Sequence, residues 1–257
     1  MGIELNKIYN ESCIQTLNSM PDNFIDLTVT SPPYNVDIKY NGYDDKISHL
    51  DYEKFCVELI RLLYEKTKRG GRFCLNIPNI LFDYENNEYL SGMVFFTNIA
   101  AKCGWTYREN ITWIKMKDEE GEIFAGGKTA WGSWLSASNP QFRSFTEHIL
   151  VFHKETPKKE PVGESDILKE EFLKWTKNTW FIMPDKSEFH PAIFPIDIPY
   201  RCIKIFSYLG DLVYEPFTGS GTTIDACRTL KRNYIGSELS KKYYELTNRR
   251  ISQTQLF

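Results

Sequence analysis

The chain has 257 residues, 42% hydrophobic and 25% charged, with a net charge of −3, enough apolar content for one globular domain with a sizeable core. No run approaches the roughly 20 apolar residues of a membrane span, and the first seven residues, Met1 to Lys7, lack the apolar core of a signal peptide. The slight acidity means that any nucleic-acid partner would need a local basic face. Cys13, Cys56, Cys74, Cys103, Cys202 and Cys227 are scattered with no C-x-x-C pair, which reads as the reduced thiols of a cytoplasmic protein rather than as disulfides or a metal site.

In chain order, Lys7 to Asn10 reads as a short strand, Ser12 to Met20 as a helical turn, and the apolar run Ile25 to Thr30 as a short buried strand. Ser31-Pro32-Pro33-Tyr34 follows at once. Two prolines cannot continue a strand, because each fixes φ and lacks an N–H. The chain therefore leaves the sheet rigidly, with a hydroxyl, a fixed carbonyl and an aromatic ring near one point. The C-terminal end of a strand is where open α/β sheets bind ligands. Taken alone, the same four residues are equally an ordinary Pro-Pro turn with a half-buried tyrosine.

Residues 35–50 are polar and tyrosine-rich, with Gly42, and predict a mobile loop. Apolar residues at helical spacing (Phe55, Leu59, Leu62, Leu63) predict a helix over 51–67, with Asp51 as N-cap and Gly70-Gly71 as the stop. Arg72 to Pro78 reads as a second strand, 89–103 as a helix closing at Gly104, Asn110 to Lys115 as a third strand with Trp113 in its core, and His148 to His153 as a fourth. Strands alternating with helices predict a mostly parallel sheet. Two segments, 117–142 and 154–189, lack this rhythm; the second turns helical near 166–177. Irregular aromatic and basic loops on an α/β scaffold carry specificity or are surface decoration.

The second pole is Asp211 to Thr223, strand then Gly-rich turn then helix start, through Glu215-Pro216-Phe217-Thr218-Gly219-Ser220-Gly221-Thr222. Its glycines let backbone approach a ligand, and the helix start offers free N–H donors. A helix over 222–230 and a strand over 233–238 follow, and Glu238 lies 19 residues after Gly219. An acid about 20 residues beyond such a turn receives ribose hydroxyls in nucleotide-type sites. No Gly-Lys-Ser/Thr follows the turn, so it is not a Walker loop, and Thr223-Ile224 stands where a dinucleotide fingerprint has its third glycine. A plain βαβ turn is the alternative.

With both poles quoted, the chain resembles the S-adenosylmethionine-dependent amino-methyltransferases of DNA, in the β-class order with S-P-P-Y first and the F-x-G-S-G loop last. Arg143 to Phe152 resembles the family's segment leading into its reversed strand, His190-Pro191-Ala192-Ile193-Phe194-Pro195 with Pro199-Tyr200-Arg201 its cofactor-side motif, and Asn110 to Lys115 its I-x-W-x-K strand. The resemblance covers nearly the whole chain except 117–142 and 154–178. It departs at Glu215, where the family has aspartate, and at Asn10 to Cys13, where the family has Gly-Asp.

The resemblance implies a Rossmann-like, circularly permuted, mostly parallel sheet of seven strands with one reversed, in a single domain whose inserted segments read the target. It implies S-adenosylmethionine as cofactor, held by Glu215, Pro216, Phe217, Gly219, Ser220, Gly221, Thr222, Glu238, His190, Pro191, Ala192 and Phe194. It also implies methylation of an exocyclic amine on a base flipped out of double-stranded DNA. Ser31 and the Pro32 carbonyl would accept the amine's hydrogens, with Pro33 fixing the turn and Tyr34 stacking on the base. Cytosine N4 is favoured over adenine N6, because S-P-P-Y members more often act on cytosine. Lys115, Lys117, Lys128 and Arg143 are the candidate phosphate contacts, and a restriction endonuclease is a possible partner. Lys241, Lys242, Arg249 and Arg250 form a basic helix face that reads as solvated surface. A non-catalytic binder on the same scaffold would have damaged motifs, and these look intact. A protein-glutamine methyltransferase carries its cofactor loop ahead of its Asn-Pro-Pro-Tyr, the opposite order. A dehydrogenase would need the full glycine fingerprint.

Overall fold

Ile25–Thr30 is buried at all six positions, the mark of a strand covered on both faces, and the sheet is built outward from it. The computed structural model describes residues 2–35, 39–40, 43–44, 47–116, 132–142, 144–185 and 195–253. The chain runs β1 (Lys7–Tyr9), α1 (Cys13–Asn18), β2 (Ile25–Thr30), β3 (Lys39–Tyr40), β4 (Tyr43–Asp44), α2 (His49–Lys66), β5 (Thr67–Pro78), β6 (Ile80–Asp83), β7 (Glu88–Ser91) and α3 (Gly92–Lys102). It continues through β8 (Thr106–Ile114), β9 (Thr146–His153), α4 (Lys169–Trp175), β10 (Thr179–Phe181), α5 (Asp197–Phe206), β11 (Leu212–Glu215), α6 (Thr222–Thr229), β12 (Asn233–Ser237) and α7 (Lys241–Gln253).

The main sheet has the order β1-β12-β11-β2-β5-β9-β8-β10, with β3-β4 and β6-β7 as separate hairpins. Every neighbouring pair is parallel except those of β9, which is antiparallel to β5 and β8. The mostly parallel sheet with one reversed strand is therefore present, with β2 and β11 adjacent although far apart in sequence. It holds eight strands rather than seven. The extra one, β10, lies inside 154–189 and pairs with β8 at the edge.

Local chemistry explains where other boundaries moved. Ser48 rather than Asp51 caps α2, its hydroxyl accepting from Asp51 N at 3.1 Å. The helix ends at Lys66, and Thr67 Oγ1 donates to Leu63 O at 2.6 Å. Gly70-Gly71 lies within β5 instead of stopping a helix, with Gly70 N–H reaching Lys154 O at 2.9 Å. Residues 88–91 are hairpin strand, and α3 starts after Ser91. The helix α5 has Pro199 in its first turn, where a missing N–H is tolerated.

Two apolar clusters flank the sheet. One packs Leu17, Leu59, Leu63 and Phe96 against Phe73 and Phe152, and the other packs Ile198, Ile203 and Ile224 against Leu27, Val29, Trp113 and Trp180. All six cysteines are free thiols, and no helix among the described residues is long and apolar enough to cross a membrane. Trp180 is 1% exposed, and its indole donates to Trp175 O at 3.0 Å. Trp180→Ala should therefore cost about 3–5 kcal/mol. A denaturant midpoint unchanged by that substitution would show β10 to be ornament.

Candidate active site

Because β11 and β2 run parallel side by side, with Val213 opposite Leu27 and Tyr214 opposite Thr28, both end on one sheet edge. The last residue of each meets the other there. Glu215, 2% exposed, accepts from Thr30 Oγ1 at 2.5 Å, from Thr223 Oγ1 at 2.7 Å and from Phe217 N at 3.1 Å. One buried carboxyl thus joins the residue before Ser31 to the helix that follows the Gly-rich loop. Burial outweighs its three hydrogen bonds and pushes Glu215 up to about 8.

The loop's shape follows from its glycines. Gly219 (φ +52°) and Gly221 (φ +86°) are left-handed, a region costly for other residues. Thr218 donates from N and Oγ1 to Ser237 O at 2.9 and 3.0 Å. That approach is possible because residue 236 is glycine: a Cβ there would lie 2.5 Å from Thr218 Oγ1. Glu238, the residue after β12, accepts from Gly219 N and from Ser240 N, each at 2.8 Å. Burial raises its pKa, against those two hydrogen bonds. Beside it, Asn10 Nδ2 donates to Glu238 O at 2.8 Å, so the Asn10 to Cys13 segment borders the same edge.

The loop also has a brace from α7, and Arg250, expected on a solvated face, is part of it. Thr247, fully buried on α7, donates to Gly219 O at 2.8 Å. Arg250 donates to Ser220 O at 3.1 Å and pairs with Asp225. Lys241 and Lys242 are exposed, and Arg249 reaches Glu245 in the open. The one available signal was spacing: positions 247 and 250 share a helical face.

At the other corner, Pro33 O accepts from Tyr52 Oη at 2.7 Å. Asn35, at φ +57° and 4% exposed, exchanges two hydrogen bonds with Ile47 at 2.9 and 2.8 Å. Tyr34 is tied by its hydroxyl, which lies 2.7 Å from Ser31 Oγ, receives Asn76 Nδ2 at 2.9 Å and is 3.3 Å from Glu147 Oε2. Asn76 Nδ2 also donates to Glu147 Oε2 at 2.6 Å, and Lys115 Nζ pairs with Glu147 Oε1 at 2.7 Å. Burial, helped by the Glu147 charge, lifts Tyr34 well above the usual phenol value, so it keeps its proton.

Ser31, Pro32, Pro33 and Tyr34 and the loop residues Glu215 to Thr222 are thus brought together at one edge, with Glu238 beside them. Lys115 sits there too, ion-paired to Glu147. Lys117, Lys128, Arg143, His190, Pro191, Ala192 and Phe194 lie outside the described residues. Asn76 and Glu147 join the site without having been singled out.

Two neighbouring strand ends carrying a Gly-rich loop, a buried acid and a second acid 19 residues on suit a nucleoside cofactor. The adjoining corner of hydroxyl, carbonyl and ring suits a planar amine. The sequence profile of the DNA methylase family matches residues 25–249, and the chain belongs to that family of N6/N4 methyltransferases. Over 161 residues it is 39% identical to the Type II methyltransferase M.MjaVI of Methanocaldococcus jannaschii, spanning 63% of this chain and 78% of that protein. It is 30% identical to the orphan methyltransferase M.BamHII of Bacillus amyloliquefaciens, with 88% of each chain covered. Among solved structures, PvuII DNA methyltransferase (cytosine-N4-specific) superposes with TM-score 0.72 at 19% identity, covering 97% of this chain and 87% of that one. A Thermus thermophilus protein complexed with S-adenosyl-L-methionine also gives 0.72, at 23% identity, covering 96% and 93%.

Proposed function

We propose that this DNA methyltransferase uses S-adenosylmethionine to methylate the exocyclic amine of a base flipped out of double-stranded DNA, with cytosine N4 as the favoured target. The observation carrying the proposal is the Thr30–Glu215–Thr223 bridge, which sets the amine corner and the cofactor loop on one edge with a shared buried residue. The cofactor supplies a sulfonium methyl. The residues that would hold it fit. Gly219 and Gly221 turn the loop backbone left-handed, Glu238 carries a buried carboxylate for ribose hydroxyls, and Glu215 offers a second buried acid at the same edge.

A base amine is a poor nucleophile because its lone pair is delocalised into the ring. Ser31 Oγ and the Pro32 carbonyl, accepting its two N–H groups, favour a pyramidal nitrogen with a free lone pair. The Tyr34 ring gives a flat surface for the base, and the rigid Pro-Pro turn holds all three in place. Asn35 closes the loop that follows onto Ile47. The cytosine preference rests on the serine in S-P-P-Y; adenine N6 is the second reading. Relatives bear both Type II and orphan names, so a paired endonuclease is part of the proposal only as a cytoplasmic partner to be sought beside the gene.

Sequencing modified bases in DNA from cells that express the chain tests base and site together. N4-methylcytosine at one short motif is expected, and Ser31→Ala should lower its yield about 100-fold or more. N6-methyladenine alone would replace the cytosine assignment. No labelled methyl transferred to any DNA would favour a non-catalytic binder.

A further inference from the structure

The hydroxyl in S-P-P-Y is neutral, whereas the reaction sheds a proton from the methylated nitrogen. We infer that Ser31, Tyr34 and Glu147 form a proton relay that carries this proton away from the target amine. The inference rests on the methyltransferase reading above and adds to it a route and an end point.

The contacts form a continuous chain. Ser31 Oγ lies 2.7 Å from Tyr34 Oη, and Tyr34 Oη lies 3.3 Å from Glu147 Oε2. Asn76 Nδ2 stands 2.6 Å from the Glu147 carboxylate and 2.9 Å from Tyr34 Oη. An amide oxygen would be repelled at the first distance, so the amide's NH2 group faces both. Tyr34 Oη therefore accepts from Asn76, and its own proton goes to a neighbouring acceptor. Of the acceptors in reach, Asn76 O at 3.4 Å and Glu147 Oε2 at 3.3 Å, the carboxylate oxygen is the stronger. With Tyr34 donating to Glu147 and Ser31 donating to Tyr34, the serine lone pairs are left for the amine. Lys115 occupies the other carboxylate oxygen at 2.7 Å, so Oε2 serves Asn76 and Tyr34 with its two lone pairs. Each hydrogen bond polarises the next, so a carboxylate two links away strengthens a neutral serine as an acceptor.

The balance is simple. As nitrogen gains the methyl and the sulfur–methyl bond breaks, nitrogen becomes cationic. Its proton passes to Ser31 Oγ, the Ser31 proton to Tyr34 Oη, and the Tyr34 proton to Glu147 Oε2. Glu147 is left as the neutral acid, from which solvent takes the proton. Tyr34 is suited to pass a proton rather than hold a charge, being a buried phenol beside a carboxylate.

The test uses the full-length chain and three variants: Tyr34→Phe, Glu147→Gln and the double. Tyr34→Phe keeps the ring and removes one oxygen. Each single variant should slow single-turnover methyl transfer about 100-fold while DNA and cofactor dissociation constants move less than about threefold. The double should be no slower than the slower single, because both break one relay. The 13Cζ resonance of Tyr34 in the ligand-free protein should shift in Glu147→Gln, a readout independent of turnover. Full-rate Tyr34→Phe, or a double variant whose loss is the product of the singles, overturns the relay. If Glu147→Gln does not fold, Tyr34→Phe decides alone. Inactive wild type would overturn the methyltransferase reading and the relay with it; active wild type with active variants overturns the relay only.

Discussion

Titrating S-adenosylmethionine into the protein at pH 7 is expected to release close to one proton, and Glu215→Gln is expected to release none. Glu215 is 2% exposed and surrounded by Thr30, Thr223 and Phe217 N. Burial raises it to about 8, so at pH 7 most molecules hold the acid neutral. A ligand bringing positive charge to that carboxyl favours the ionised form, and the proton must leave as the ligand binds. Affinity should therefore rise with pH up to about 8, by at most tenfold per unit. Calorimetry in buffers of different ionisation enthalpy measures the released proton directly. Heats identical in all buffers would mean that Glu215 is already charged or does not face the cofactor.

The same group ties stability to pH. Its ordinary value is 4.5 and its folded value about 8, so between these the folded state binds more protons than the unfolded one. Stability from this residue is fully present below about 4.5 and is lost as pH rises toward 8, by at most about 1.4 kcal/mol per unit. Glutamine mimics the neutral acid without titrating, so Glu215→Gln should fold and gain on the wild type as pH rises. Glu215→Ala should fare worse at every pH, since it strands two hydroxyls and an N–H at roughly 1–3 kcal/mol each.

Residues whose conformation is set by immediate neighbours were legible in the sequence. The strand Ile25–Thr30 ends where two prolines end it, and the turn through Gly219 and Gly221 is left-handed at both glycines. What the sequence hid depends on pairing across the sheet. Asn76 and Glu147 reach Tyr34 from 42 and 113 positions away, and they do so because β5 and β9 pair with Pro78 opposite Glu147. No local pattern states that register. Helix α5 was hidden by Pro195 and Pro199, which look like turn residues until the first-turn position of Pro199 is known. The brace from Thr247 and Arg250 was hidden for a different reason. A basic helix face is solvated by default, and only the fold shows that part of it closes over the loop.

That brace makes Gly221 a sensitive position in the Gly-rich loop. Gly221→Ala should abolish measurable S-adenosylmethionine binding at concentrations saturating the wild type, while leaving a folded protein. Alanine at φ +86° costs about 1–2 kcal/mol in backbone strain. Its Cβ would also lie 2.6 Å from Thr247 Cγ2. Thr247 cannot simply rotate away: it is fully buried, β-branched, and its hydroxyl holds Gly219 O. The collision therefore moves the loop or breaks that hydrogen bond, and either displaces the backbone on which a cofactor would rest. Thr247→Ala alone loses one hydrogen bond of about 1 kcal/mol and should weaken binding modestly. Adding it to Gly221→Ala removes the clash but not the strain, so the double variant should recover part of the lost affinity. Such rescue by a second truncation identifies contact rather than general damage. A double variant that binds no better than Gly221→Ala would place the whole effect in the backbone conformation and leave Thr247 without a role in shaping the loop.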